Sequence, residues 1–285
     1  MPDSSYKDLL KENLDFAIEK MHYHKNINMS NTHYHSHYEL LYISSGTRTL
    51  KINNALTYTL NSHNIALLRP NIVHQTLSSE TPNQTRILIN ISEKLLNELT
   101  NNFSENIVSC FNTPVISFDN YHSGILNYLF TELLDSKDSL LYDETVKINL
   151  SKILLLLSKL YHNSTFDDDT LFANSNARVL VDYSAKFIQE NYASNITIAD
   201  LAEKLFISET YLERIFKKIM GTTPYNYLLS IRMINAKRLL QSRRMSVSDI
   251  ATACGFNSLM AFSRAFKKIQ NCSPKEYQKI NAAEN

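Results

Sequence analysis

The sequence predicts an α+β chain of two domains, a β-rich N-terminal domain with flanking helices and an all-α C-terminal domain. Short β-rich runs separated by polar turns occupy residues 33–91, a pattern typical of a small barrel or sandwich. After residue 177 the apolar residues recur at helical spacing. Residues 1–173 hold 13 Lys and Arg against 19 Asp and Glu, and residues 174–285 hold 16 against 9, so the formal charge changes from −6 to +7.

The composition is that of an ordinary globular protein. The 285 residues are 44% hydrophobic and 20% charged, with only 4 Gly and 6 Pro, which excludes collagen-like, low-complexity and long disordered chains. No run approaches the ~18 apolar residues of a membrane helix, and the N-terminus lacks the apolar core of a secretory signal. The three widely spaced cysteines form neither a disulfide framework nor a CxxC pattern. We therefore expect a reduced, cytoplasmic protein that does not insert into membranes.

The N-terminal half divides into helices and strands by its apolar spacing. Apolar residues at helical spacing predict a helix over residues 6–20, and five β-rich runs follow: YELLYIS, TLKI, LTYTL, IALL and TRILINI. Residues 92–101, 121–135 and 141–161 have helical spacing again. The last of these helices is apolar on more than one face, which fits either the core or a homodimer seam. We predict the dimer seam along residues 145–161, with these candidates: Ile148, Leu150, Ile153, Leu154, Leu155, Leu157 and Leu160.

A polar segment with an acidic triplet separates the two halves. The run NSTFDDDTLFANSN, residues 163–176, has no sustained apolar period and is typical of a linker. The change in charge falls at the same place. We therefore divide the chain into an N-terminal domain (1–162), a linker (163–177) and a C-terminal domain (178–285) whose positive charge suits a polyanionic partner.

The C-terminal half contains an internal repeat. Residues 208–219 align with residues 258–269 at an offset of 50, and Asp200-Leu-Ala aligns with Asp249-Ile-Ala at an offset of 49. Such self-similarity marks a duplicated supersecondary unit.

Each repeat has the signals of two short helices joined by a tight turn. In the first, Thr197 and Ser208 are suited to cap successive helices. In the second, Ser246 or Val247 begins the first helix, Gly255 occupies the turn and Ser258 caps the second helix. A short helix, a turn and a second helix with a polar exposed face describe a helix-turn-helix unit. A plain helical bundle is the alternative, and the duplication and positive charge argue against it.

The tail that begins IATACGF and continues through FSRAFKK to SPKEY resembles the DNA-binding domain of AraC/XylS-type transcription regulators. The resemblance covers about residues 178–280. It implies seven helices, with two helix-turn-helix units joined by a long helix over residues 224–241. The two recognition helices would then enter successive major-groove faces of double-stranded DNA, roughly 34 Å apart.

The resemblance also implies which residues contact DNA. Arginine can bind guanine or phosphate, glutamate can accept from cytosine, and apolar side chains can contact a thymine methyl group. Lysines at the ends of the helices are better suited to phosphate. The implied contact residues are Thr210, Glu213, Arg214 and Lys217 in the first unit, and Leu259, Met260, Ser263, Arg264 and Lys267 in the second. Leu259 and Met260 depart from the polar residues usual there, so the second unit would depend more on Arg264, its lysines and DNA shape.

A histidine-rich motif precedes the first β-rich run. His33, His35, Glu39 and Gly46 fit the pattern H-x-H-x3-E-x6-G, and Pro70 and His74 supply part of a second motif. This resembles the cupin barrel, with Asn64 where the second motif has glycine. A cupin-like barrel is also a usual sensor domain in the AraC/XylS family.

Strand parity places the motif residues together. His33, His35, His37 and Glu39 would share one face of a continuous strand, inside the barrel and opposite His74. Three interpretations stay open: a pocket for a polar, neutral or anionic effector; a divalent metal site formed by His33, His35, Glu39 and His74; or purely structural histidines. We assign the five residues to effector binding and predict no cofactor.

These features predict a homodimeric transcription regulator, an activator controlled by a small-molecule effector, with double-stranded DNA and RNA polymerase as partners. One alternative is a metal-dependent cupin enzyme tethered to DNA, and another is a regulator whose barrel only dimerises. No GxSxG, P-loop or HExxH motif is present in the sequence, so we expect no enzymatic activity.

Overall fold

The computed structural model of the chain describes residues 14–24, 32–78, 83–101, 103, 107–164 and 175–283. All strands within these residues lie in the first 117 positions, and the described part after residue 174 is helical. The α+β division expected from the sequence is therefore confirmed.

The strands form two antiparallel sheets. One has five strands in the order β1-β7-β2-β5-β8, and the other has three in the order β4-β3-β6. The sheets share a core but do not close into a continuous barrel. Each of the five predicted runs forms a strand, whereas β1, β6 and β8 were not predicted. The strand bounds are β1 (Phe16–Tyr23), β2 (Tyr38–Ser45), β3 (Arg48–Ile52), β4 (Leu56–Leu60), β5 (Asn64–Leu68), β6 (His74–Ser78), β7 (Gln84–Ile91) and β8 (Val115–Ser117).

The predicted N-terminal helix over residues 6–20 is wrong for its described part. Residues 1–13 lie outside the described residues, and residues 16–23 form β1, which pairs with β7 from Phe16↔Ile91 to Tyr23↔Gln84. Ile18 on this strand is buried in the core. Hydrogen bonding to β7 and burial of Ile18 override the weak local preference for a helix, because propensity is only a minor part of the free energy of a paired strand.

The helices after the sheets cover one sheet face. These are α1 (Glu93–Thr100), a 3₁₀ helix (Ile107–Asn112), α2 (Asn120–Asp135) and α3 (Tyr142–Ser164). On β2, the side chains of Leu40 and Tyr42 contact this helical layer, while Leu41 and Ile43 belong to the core between the two sheets. Both faces of β2 are therefore buried, which explains its continuous apolar sequence.

The helix α3 is mostly a core helix, so most of the predicted dimer seam is wrong. The members that face inward are fully buried beneath α1 and α2 or against the sheet: Leu150, Ile153, Leu154 and Leu157. Leu160 is half-buried against the same core. Only Ile148 and Leu155, seven residues apart on one face, are exposed, by 56% and 44%. More of the apolar side chains of α3 are buried in the chain's own core than we expected from their number.

Seven helices form the described C-terminal part, as the resemblance implied. The bounds are α4 (Ser175–Asn191), α5 (Ile198–Lys204), α6 (Glu209–Met220), α7 (Pro224–Ser242), α8 (Val247–Ala253), α9 (Leu259–Gln270) and α10 (Pro274–Ala283). The predicted caps are confirmed at Thr197, Ser208, Ser246 and Ser258. Most of the predicted linker lies outside the described residues, and its last three positions belong to α4.

The two helix-turn-helix units have separate cores. The first unit, α5 and α6, packs with α4 and α7 around Phe216 and Tyr227. The second unit, α8 and α9, packs with α7 and α10 around Phe262 and Phe266. Gly255 turns the second unit with φ +76°, and a Cβ there would lie 2.5 Å from the Tyr192 carbonyl oxygen, so glycine is required. On the same helix α9, Ala261 and Ile269 are exposed.

The core of the first unit extends into the β-rich domain. Val73, which precedes β6, is fully buried in that core, with Tyr34 and Ile72 against it. Asn53, in the left-handed conformation at the β3–β4 turn, donates its amide to the Met220 carbonyl oxygen at 2.6 Å. The Tyr227 hydroxyl donates to the Asn71 carbonyl oxygen. The β-rich domain is thus bound directly to the first unit.

Candidate nucleic-acid interface and histidine cluster

The helix α6 presents the four predicted DNA-contact residues on its solvent face. Thr210, Glu213, Arg214 and Lys217 are all exposed, while Leu212, Ile215 and Phe216 are buried on the opposite face. The Arg214 guanidinium lies 5.2 Å from the centroid of the Tyr211 ring, so the ring restricts its position without using its five donors. The arrangement leaves Arg214 able to bind a base edge or a phosphate.

The helix α9 presents a less polar face. Leu259 and Met260 are exposed, Met260 by 65%, and Arg264 and Lys267 are exposed one and two turns further on. Ser263 is half-buried. Exposed apolar side chains at the start of such a helix suit thymine methyl groups and give no hydrogen-bond readout.

Five polar side chains form a buried cluster in the β-rich domain. His33, His35, His37, Glu39 and His74 are each at most 8% exposed. The His35 and His37 rings stack with centroids 3.9 Å apart, and the His33 and His74 rings are 4.2 Å apart. The predicted juxtaposition therefore exists in the structure.

The local backbone differs from the continuous strand that was predicted. Strand β2 begins only at Tyr38, and His33 forms an isolated antiparallel bridge with His74. The bridge residues exchange both backbone hydrogen bonds, at 2.9 and 2.8 Å. Cross-strand pairing with His74, rather than strand parity alone, brings His33 into the cluster.

The Glu39 carboxylate is the centre of the cluster. His35 Nε2 lies 3.3 Å from one carboxylate oxygen and His74 Nε2 lies 3.7 Å from the other. Burial alone would raise the pKa of Glu39, but the contact with His35 and the neighbouring imidazoles outweigh burial and lower the pKa to about 2. Burial lowers the pKa of His74 to about 4 and the pKa of His37 to about 3. At neutral pH the carboxylate is thus ionised and these two imidazoles are neutral.

The orientation of two imidazoles shows what the cluster can hold. The Nδ1 atoms of His35 and His74 lie 2.8 and 2.9 Å from the carbonyl oxygens of His37 and Ile72, so in a neutral ring Nδ1 carries the proton. Their Nε2 atoms face the Glu39 carboxylate. Such an arrangement attracts a cation or a hydrogen-bond donor. Metal-binding histidines are commonly held by Nδ1–H donation to a backbone carbonyl.

A divalent metal also fits the cluster by distance. In each of two groups, His33, His35 and His74, and His35, His37 and Glu39, the candidate ligand atoms lie within 4.8 Å of one another. Imidazole and carboxylate ligands suit zinc, iron or manganese. The cluster is compact, so an organic effector could contact all five residues only if the cluster opened.

The contacts between the domains were not predicted from the sequence. Asn53, Asn71 and Tyr227 bind across the domain boundary, yet each is an ordinary turn or core residue in the sequence. The repeat does show that Tyr227 aligns with Tyr277. The aligned sequences do not indicate which of the two tyrosines contacts the β-rich domain.

Comparison with known families agrees with this architecture. Residues 201–280 match the family described as "Helix-turn-helix domain", and residues 21–157 match the "AraC-like ligand binding domain". A duplicated helix-turn-helix domain joined to a β-rich ligand-binding domain defines a DNA-binding transcription regulator. The chain belongs to the AraC family of such regulators.

Named relatives match part of the chain. The chain is 28% identical over 171 residues to the "Probable transcriptional regulator LumQ" of Photobacterium leiognathi, covering 60% of this chain and 65% of LumQ. It is 34% identical over 107 residues to the "Msm operon regulatory protein" of Streptococcus mutans, covering 38% of each chain. The match to these relatives thus spans between about a third and two thirds of their length.

A solved structure shares the fold over nearly the whole chain. ToxT from Vibrio cholerae, in a crystal structure described as bound to an unsaturated fatty acid, is 20% identical with a TM-score of 0.54, covering 94% of this chain and 96% of ToxT. At that identity the likeness shows the fold alone. Among the described helices, none is long and apolar enough to cross a membrane.

Proposed function

We propose that the chain is a homodimeric transcription activator of cytoplasmic location and without enzymatic activity, which binds double-stranded DNA and responds to an effector sensed in its β-rich domain. The observation that carries the proposal is the pair of capped helix-turn-helix units whose second helices expose Arg214 and Arg264. LumQ is named a probable transcriptional regulator and the Msm protein an operon regulatory protein, which supports the same class. Activation would include contact with RNA polymerase.

The DNA contacts divide into base reading and phosphate binding. Arg214 and Glu213 are proposed to read bases, with Thr210 beside them, whereas Lys217 and Lys267 are proposed to bind phosphates. A bidentate arginine–guanine contact contributes about 1–3 kcal/mol of discrimination between sequences. A phosphate contact contributes to all sequences alike.

The experiment is selection of DNA duplexes from a random library by the full chain, followed by binding titrations. We expect Arg214→Ala to relax sequence preference at one half-site by about 1–3 kcal/mol. Lys267→Ala is the matched comparison, since it should lower the salt slope by about 1 and leave the selected sequence unchanged. Equal losses on selected and random duplexes for Arg214→Ala would contradict the base-reading role.

We place the effector site at the histidine cluster of His33, His35, His37, Glu39 and His74. The ionised Glu39 and the converging Nε2 atoms favour a cation or a hydrogen-bond donor over the anionic effector that the histidines alone suggested. A divalent metal is the second candidate occupant, favoured by the Nδ1 contacts of His35 and His74.

Two measurements separate these occupants. Elemental analysis of the purified chain should give no stoichiometric zinc, iron or manganese if the occupant is organic, and one equivalent if it is a metal. The double variant His35→Ala/His74→Ala should abolish effector response of a reporter promoter in either case, while DNA binding in vitro persists. A double variant that responds normally would show that the cluster is structural.

For dimerisation we propose the exposed face of α3 that carries Ile148 and Leu155. Light scattering should show a dimer for the unmodified chain and a monomer for Leu155→Lys, with the β-rich domain still folded. Val179→Lys, at an exposed apolar position on α4, is the matched control and should remain dimeric. A monomeric unmodified chain would rule the seam out.

A further inference from the structure

A cleft lies between the two helix-turn-helix units. Its lining combines Glu209 and Glu213 of α6 with Ala261 and Ala265 of α9, and α7 contributes residues both to the cleft and to the cores of the two units. Water-sized molecules can enter a volume of about 600 Å³ there, within the range of about 300–1,000 Å³ that is typical of sites for small organic molecules. All of its described lining residues belong to the helical domain, so the cleft is separate from the histidine cluster.

The inner part of the cleft is apolar. Leu228 is buried, and Leu229 and Phe256 are half-buried, while the two alanines of α9 leave space that larger side chains would fill. Tyr225, which is 59% exposed, adds an aromatic ring to the lining. Apolar and aromatic walls with a few polar groups are the usual composition of sites that bind organic molecules.

Two carboxylates give the cleft a negative edge. Glu209 and Glu213 are one helical turn apart on α6, and both are exposed. The ion pairs between described residues involve neither of them. Like charges four residues apart on a helix repel each other, so a cation between them removes an unfavourable interaction.

The one cation in the described lining is Arg232, which is held by the backbone. Arg232 Nε and Nη2 donate to the carbonyl oxygens of Tyr192 and Ser194 at 2.9 and 3.0 Å. Its guanidinium carbon lies 5.4 Å from the centroid of the Phe256 ring. Two carboxylates and one guanidinium leave the described lining with a formal charge of −1, which a monovalent cation balances.

We propose that this cleft binds an organic monoammonium ion with an aromatic body. The ammonium group donates to the carboxylates of Glu209 and Glu213, and the ring packs against Leu228, Leu229 and Phe256. The charge of the lining disfavours a carboxylate of the same shape. Because residues of both units line the cleft, the bound cation connects α6 with α9. This site is additional to the effector site proposed above and does not depend on it.

The test titrates 4-phenylbutylammonium calorimetrically into the full chain, without DNA and at low ionic strength, where exposed ion pairs are least screened. The matched ligands are 4-phenylbutan-1-ol, which lacks the charge, and 4-phenylbutanoate, which reverses it. We expect the ammonium ion to bind about 5- to 25-fold more tightly than the alcohol, since each exposed ion pair contributes up to about fivefold. The butanoate should bind more weakly than the alcohol.

Three variants locate the site. Glu209→Gln/Glu213→Gln removes both charges and should abolish the preference for the ammonium ion over the alcohol. Glu203→Gln, at an exposed position of α5 that is absent from the described lining, is the matched control and should keep that preference. Ala265→Phe fills the cleft and should weaken the binding of both ligands by about tenfold or more.

The double glutamine variant keeps the test decisive if Ala265→Phe does not fold, because both of its substitutions are at exposed positions. Absence of ammonium binding, equal binding of the ammonium ion and the alcohol by the unmodified chain, or an unchanged preference in the double variant would overturn the proposal. Unchanged binding by a folded Ala265→Phe would also overturn it, by placing the ligand outside the cleft. The DNA selection experiment with Arg214→Ala reports on the proposed function independently of these outcomes.

Discussion

The two helix-turn-helix units are repeats of one design, but their surroundings differ. In the first, Phe216 packs on Tyr227 with ring centroids 5.4 Å apart, and in the second, Phe266 packs on Tyr277 at the same 5.4 Å. Tyr227 donates its hydroxyl to the β-rich domain, whereas the Tyr277 hydroxyl accepts from Gln241 within the helical domain. The aromatic pair at the core is therefore repeated in both units. Among the described contacts, only the tyrosine of the first unit also binds the β-rich domain.

This difference suggests how a ligand-binding domain could act on a protein with two helix-turn-helix units. A ligand changes an equilibrium only through different contacts in its two states, and the described sensor contacts lie on the first unit. The second unit would then supply DNA affinity that is independent of the effector. Variants at matched repeat positions can test this division of roles.

The largest effect is expected for the matched core phenylalanines. Phe216→Ala and Phe266→Ala should each cost about 3–5 kcal/mol of stability in their own unit, since both rings are fully buried. Hydrogen-exchange mass spectrometry should show lost protection around residues 71–73 for Phe216→Ala. Phe266→Ala should leave those residues protected, and equal deprotection by both variants would show that the units are not independent.

A smaller effect is expected for the matched tyrosines. Tyr227→Phe removes the buried hydroxyl that donates to Asn71 and accepts from Gln189 at 2.7 Å, so it should cost about 1–3 kcal/mol. Tyr277→Phe loses an exposed contact of 3.4 Å with Gln241 and should cost less, about 0.5 kcal/mol. Thermal unfolding of the two variants measures the difference. A cost for Tyr277→Phe as large as that for Tyr227→Phe would contradict the comparison.

The smallest effect on stability is expected for the residues that end α6 and α9, the second helix of each helix-turn-helix unit. Gly221 (φ +71°) ends α6, and Asn271 (φ +58°) ends α9 at the aligned position. A Cβ at 221 would lie 2.8 Å from a Leu56 methyl carbon of the β-rich domain. Gly221→Asn should keep the left-handed cap but weaken the contact between domains by about 1 kcal/mol.

The reciprocal variant is its control. Asn271→Gly should leave the domain contact unchanged, since the hydrophobic core of the second unit consists of residues from the helical domain. Hydrogen exchange at residues 53–56 distinguishes the two. Unchanged exchange there in Gly221→Asn would mean that Leu56 moves aside at no cost.

The sequence predicted the helical domain better than the rest because its signals are local. Caps such as Ser208 and Ser258, the turn glycine Gly255 and the 50-residue repeat each specify structure within a few residues. The histidine cluster was predicted correctly in membership, although the strand supposed to align it begins only at Tyr38. The apolar spacing of α3 suggested a dimer seam, but the structure shows that its inward leucines are buried in the core of the chain itself.

The contacts between domains could not be predicted in the same way. Asn53 and Met220 are 167 positions apart, and Asn71 and Tyr227 are 156 apart. Pairing across such distances depends on how two finished domains fit, and asparagine in a turn or tyrosine in a helix carries no sign of it. The strand β1 was not predicted for a related reason, since its partner β7 is about 70 residues away in the sequence.

Two short segments of the β-rich domain serve both the histidine cluster and the core of the first unit. His33 and His74 face the cluster, while their chain neighbours Tyr34 and Val73 pack against the helical domain. A substitution on one side of this bridge therefore changes the free energy of a substitution on the other, whereas changes near Phe266 should add independently. The consequence is evolutionary: if the cluster binds the effector as proposed, ligand preference cannot change at these positions without also altering how the first unit is held, whereas substitutions in the second unit carry no such constraint.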